Sequence, residues 1–188
     1  LMDSIQGGPH ARYYAEYSRV NALINAFSET IAERIRSEGF SARWVHSSER
    51  VDFVNIAGQF PHRPRRAKAG CARVDRRAEV VPRRCGPGGR LGRVRAGMPL
   101  GEGAGGLMRS CCGTCRRCVE VCPGGALTGG DWSPEAGRAA LLDAAVCDEW
   151  KKKHFAEFHG MVCGICTSAC PHGSSRPRTR KQERAGNL

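Results

Sequence analysis

The chain predicts an α+β protein in which a partial α/β scaffold leads into a loop-rich, cysteine-based domain. Three observations carry that class. A long helical period occupies the N-terminal part, a short apolar run behind it reads as a strand, and seven of the eleven cysteines gather in two short runs of the C-terminal half.

Apolar side chains at Tyr13, Tyr17, Val20, Ile24, Phe27, Ile31 and Ile35 recur in steps of three and four, which places them on one face of a helix over residues 12–38. Glu38-Gly39 ends it, because glycine is the usual residue just past a helix C-terminus. A strand over 43–46 completes a helix-strand unit, and residues 1–60 form the scaffold segment. Its tyrosines read as core or interface residues. Over residues 61–106 arginine, glycine and proline dominate, and from 61 to 95 neither a helical nor a strand period survives, so this connection is expected to be irregular.

Residues 107–173 hold the cysteine runs. Arg116 to Val121 reads as one helical turn stopped by Pro123. Ser133-Pro134-Glu135 has the form of an N-cap, a proline at the first helical position and an acid in the first turn. It predicts a helix to about Ala145 that delivers Cys147. A second helical stretch over 148–159 carries Trp150, Phe155 and Phe158, which read as core that also shields what the cysteines bind. Residues 174–188 are polar and basic and are expected to be a disordered tail.

Composition narrows the function classes. Aromatic content of 6%, 24 glycines and 10 prolines in 188 residues indicate much loop, which metal-ligand bonds offset in cluster domains. A formal charge of +12 invites a phosphate-binding reading. The excess lies in residues 62–95 and in the tail from Arg176, thiolate ligands are not in the tally, and a solvated arginine-rich surface explains it equally. No apolar run approaches the ~18 residues that span a bilayer, so a soluble, cytoplasmic protein without membrane contact is expected.

The cysteines are the most informative feature. Cys112, Cys115, Cys118 and Cys122-Pro123 form a C-x2-C-x2-C-x3-C-P run, and Cys163, Cys166 and Cys170-Pro171 repeat its latter half. Three thiolates two residues apart wrap one face of a cubic iron-sulfur cluster, and in two-cluster ferredoxins the fourth cysteine of such a run serves the other cluster. Structural zinc takes four ligands from two pairs and has no use for the third cysteine. A disulfide framework needs an oxidising compartment and usually an even cysteine count. Eleven cysteines and the lack of an apolar signal segment at the start of the sequence argue against it.

Two [4Fe-4S] clusters need eight ligands, the runs supply seven, and Cys147 between them is the most plausible eighth. In the crossed pattern Cys112, Cys115, Cys118 and Cys170 take the first cluster, and Cys122, Cys147, Cys163 and Cys166 the second. Cys71, Cys85 and Cys111 have no motif partner. His154, His159 and His172 lack a spacing that would pair them on iron.

The stretch from Cys112 through Pro123-Gly124-Gly125-Ala126-Leu127, with Leu142-Asp143-Ala144-Ala145-Val146-Cys147 and Val162 to Pro171, resembles the double-cluster domain of epoxyqueuosine reductase-like proteins, whose relatives include reductive dehalogenases. Phe60-Pro61-His62-Arg63, Ala69-Gly70, Gly86-Pro87, Arg90-Leu91-Gly92 and Met98-Pro99-Leu100 continue the register without gaps. The resemblance supports Cys147 as a ligand and implies clusters that feed electrons singly to a cobalamin.

The chain also departs from that family. A Gly-Leu-Gly-Trp-Ile-Gly-Lys stretch is replaced by Gly70-Cys71-Ala72-Arg73-Val74-Asp75-Arg76, which removes two glycines and the close backbone approach they permit. The proton-donating acid falls near Ile56, with Asp52 the nearest carboxylate. Family members also carry a cofactor-domain segment ahead of the first helix.

Two functions compete. One is an electron-transfer protein of ferredoxin type serving a separate redox partner or reductase domain. The other is a cobalamin-dependent oxidoreductase acting on a tRNA nucleoside or a related substrate, either working or as a truncated or decayed member. A third reading, an RNA-binding protein with a structural metal, rests on charge alone.

Overall fold

The computed structural model describes residues 1–58, 72–76, 80–82, 89–99, 108 and 110–172. Its elements are a 3-10 turn Met2–Ile5, α1 Ala11–Ser37, β1 Ala42–Trp44, β2 Ala72–Val74, β3 Val80–Pro82, β4 Val94–Ala96, α2 Arg117–Glu120, α3 Ala144–His154, a 3-10 turn Ala156–Phe158 and α4 Ile165–Ser168. The described residues thus mix helices with two short antiparallel ladders, β1–β4 and β2–β3, as the α+β reading requires. Residues Phe60 to Cys71, Cys85, Gly86-Pro87, Leu100 and the tail lie outside the described residues.

The periodicity of α1 predicts its span closely. His10 caps its start, with Nδ1 accepting from the Tyr13 N–H at 3.3 Å. The end is a Schellman turn: Gly39 (φ +87°) donates to the Arg36 carbonyl at 3.0 Å, and Phe40 to the Ile35 carbonyl at 3.3 Å. A left-handed residue is needed there, and glycine takes that conformation without a Cβ clash.

The buried face of α1 differs from the apolar stripe. The helix lies on β1 and β4, and the residues it buries are Ser28 and Ala32, whereas Phe27 and Ile31 remain 65% and 51% exposed. The reason is proximity of backbone. A Cβ on Gly92, just before β4, would stand 2.6 Å from Ser28 Oγ and 3.0 Å from Ile24 Cγ2. Only small side chains fit between helix and ladder at that separation.

The stretch expected to be irregular contains strands in its described parts. Val94–Ala96 pairs with β1 in the register Ala42↔Ala96, Arg43↔Arg95 and Trp44↔Val94. β2 and β3 pair through Val74↔Val80. Three-residue strands are too short to leave a readable alternation, and their arginines are poor strand signals.

The helix expected from Ser133 to Ala145 does not form. Ser133 Oγ accepts from the Ala136 N–H at 3.0 Å, as a cap does, but Gly137 turns left-handed (φ +66°) and the chain runs on as turns. Leu142 then bridges to Leu127, and Asp143 starts a new helix, its Oδ1 accepting from Ala145 and Val146 N–H at 3.0 Å each. α3 therefore carries Cys147 in its own first turns rather than after a preceding helix. It stops at His154, not 159, and its basic last turn of Lys151, Lys152, Lys153 and His154 sits at the negative end of the helix dipole.

Candidate metal centre

The two cysteine runs fold alike. Each places a one-turn helix over its second-last cysteine: α2 holds Cys118 and is followed by Cys122-Pro123, and α4 holds Cys166 and is followed by Cys170-Pro171. The two turns pack on each other, and Cys122 at the end of the first run lines one cavity with Cys163 at the start of the second.

Gly164 makes the second turn possible. It precedes α4 with φ +85°, and a Cβ there would lie 2.5 Å from Ile5 Cδ1 and 2.9 Å from the Tyr13 hydroxyl. Ile5, wholly buried, thereby ties the N-terminal turn to α4. Gly124 has the corresponding role after Cys122, with Trp150 seated 2.9 Å from where its Cβ would be.

A cavity of about 830 Å³ opens between these turns and the N-terminal segment, and Cys122, Cys147, Cys163 and Cys166 all line it. They arrive from three separate stretches of sequence. Burial pushes the Cys163 thiol up, against the pull of the Ile165 N–H. Cys147 and Cys122 are close enough to raise it further, and Lys151 close enough to lower it. Cys112, Cys115, Cys118 and Cys170 lie outside that cavity. Cys118 and Cys170 are buried at 8% exposure each, while Cys112 is half-buried and Cys115 exposed. Cys111, beside the run, is exposed.

None of the nine described cysteines is in a disulfide, and thiolates are the ligands that iron-sulfur clusters take. His154 does not enter the site: its Nδ1 is 2.9 Å from the Trp150 carbonyl and its ring stacks on Trp150 at 4.2 Å. Of the aromatic residues expected to shield the cysteines, Trp150 lines the cavity, whereas Phe155 packs edge-on to Trp150 and Phe158 lies against Tyr14.

The opposite wall comes from the N-terminal segment through Tyr17, Ser48 and Ile56, with Arg90 beside them. Tyr17 donates to Ser48 Oγ at 2.9 Å, and the Arg90 guanidinium lies 4.3 Å over its ring. Burial pushes the Tyr17 hydroxyl up, but the Ser48 hydrogen bond and the Arg90 charge outweigh it and the net direction is down. Asp52 forms a turn, accepting from Val54 and Asn55 N–H at 3.0 and 2.8 Å. Those bonds, with that of the Asn55 amide, hold its carboxyl below the usual carboxylate range.

Two ionic groups escape sequence reasoning. Asp148, the residue after Cys147, is buried and takes both Nη atoms of Arg50 at 2.7 and 3.0 Å and Lys152 Nζ at 2.7 Å. Arg76 donates to the Cys115 carbonyl at 2.9 Å and pairs with Asp131 at 3.2 Å. The lysines at i+3 and i+4 from Asp148 were a readable signal. Arg50 and Arg76 are too distant in sequence to leave one.

Residues 111–173 match the family model of the 4Fe-4S double cluster binding domain. The chain therefore carries an iron-sulfur cluster domain of the 4Fe-4S class over that stretch. No curated protein and no solved structure matches the chain. No helix among the described residues is long and apolar enough to cross a membrane.

Proposed function

We propose that the protein binds two [4Fe-4S] clusters in crossed sets and passes electrons one at a time. The observation that carries this reading is the convergence of Cys122, Cys147, Cys163 and Cys166 on one cavity. It is the set the crossed pattern requires, drawn from both runs and the segment between them. The packing of α2 on α4 supports the complementary set of Cys112, Cys115 and Cys118 closed by Cys170. A cluster changes oxidation state with little change of shape, and its protein surroundings tune the potential.

The cavity extends from the cysteines to Tyr17, Ser48 and Ile56, so an electron acceptor has space beside the second cluster. That shared wall favours a second reading, a cobalamin-dependent reductase with the corrin in the cavity. Ile56, which cannot donate a proton, and the altered residues 70–76 weigh against it. A ferredoxin-type carrier that hands electrons to a redox partner is therefore preferred.

A stoichiometric reductive titration under anaerobic conditions tests the proposal. The chain is expected to take up about two electrons, one per cluster, with bleaching of its visible absorption, and cobalamin added afterwards is expected to bind weakly or not at all. Uptake of no electrons by an iron-loaded chain would refute electron transfer. Tight corrin binding would transfer support to the reductase.

A further inference from the structure

Asp148 follows Cys147 directly in α3, lines the same cavity and is only 2% exposed. Lys151 and Lys152, one turn along the same helix, approach its carboxylate at 3.6 and 2.7 Å. That would satisfy a carboxylate buried for packing alone. Arg50 nevertheless reaches it from 98 positions upstream with a two-pronged contact. Three cations on one carboxylate leave a net positive charge against the wall formed by Cys147.

We propose that Arg50, supported by Lys152, raises the reduction potential of the cluster held by Cys122, Cys147, Cys163 and Cys166; this rests on the two-cluster reading. Reduction adds an electron to the cluster, so a fixed positive charge nearby stabilises the reduced form. The effect is strongest where water does not screen it. The side chains of Lys151, Arg50 and Lys152 are 17%, 29% and 60% exposed, so Arg50 outweighs Lys152, and Lys151, which is farther from the carboxylate, adds to both. It is a potential-tuning residue and does not take part in chemistry.

The test is a redox titration of the full chain, reconstituted anaerobically, followed by EPR with iron counted in every sample. Arg50→Met is expected to lower the potential of one cluster, with a roughly tenfold loss in its reduction equilibrium, 59 mV for a one-electron couple, and to leave the other cluster unmoved. Lys152→Met shifts the same cluster in the same direction by less. Arg50→Lys, which keeps the charge and loses the fork, stays near the parent value, as a purely structural role for the fork would not predict.

Iron-replete Arg50→Met and Lys152→Met chains with parent potentials would overturn the inference, as would equal shifts of both clusters. Should Arg50→Met lose its iron, an unshifted Lys152→Met decides against it. A parent chain that holds no iron removes the cluster reading and this inference together, an outcome distinct from iron-replete chains with unmoved potentials.

Discussion

In a Cys147→Ala chain prepared without oxygen, iron is expected to fall from about eight to about four per chain, because one of two four-iron cubes loses a ligand. The crossed assignment makes a sharper statement about pairs of substitutions. Cys147→Ala with Cys166→Ala removes two ligands of the same cluster, so the double variant retains the four irons of the single one. Cys147→Ala with Cys170→Ala strikes both clusters and leaves almost none. Non-additivity of that kind marks residues that act as one unit. If the Cys147/Cys166 pair loses all iron while the Cys147/Cys170 pair keeps half, the crossing is wrong. Cys71→Ala, Cys85→Ala and Cys111→Ala leave the iron content unchanged.

Asp148→Ala is expected to cost about 3 kcal/mol of stability, since removal of one partner leaves the cations around a buried position uncompensated. Lys152→Ala, at an exposed site, costs under about 1 kcal/mol. Urea melts of the iron-loaded variants measure both, and equal losses would show that Asp148 anchors nothing. The pH dependence has a definite sign. The Arg50 hydrogen bonds, aided by Lys152, overcome burial and hold the Asp148 carboxyl well below its ordinary value. Its contribution is complete above the ordinary carboxylate range and is lost as pH falls through that range toward the lower folded value.

The two cysteine runs were readable because a cluster-binding motif imposes local spacing. C-x2-C-x2-C and C-x3-C-P fix which residues share a turn, and α2 and α4 form where those spacings require them. Counting ligands singled out Cys147, and the structure places it in one cavity with Cys122, Cys163 and Cys166. The scaffold was half legible. The α1 period and Gly39 define the span of the helix, but the face it buries depends on how closely β4 approaches, and Ser28 and Ala32 carry no hydrophobic signal. The expected helix at 133–145 shows the converse: the Ser133 cap is real, yet Gly137 and the Leu127–Leu142 bridge, a tertiary pairing, interrupt it. Arg50 on Asp148 is such a pairing across 98 positions, and no window of sequence contains both.

The most direct test of the two-cluster claim is a count of iron and acid-labile sulfide in the chain prepared anaerobically, with zinc measured in the same sample. About eight of each per chain, with zinc near zero, is the predicted result. About four of each would mean a single cluster, and stoichiometric zinc without visible absorption would mean none; either contradicts the account.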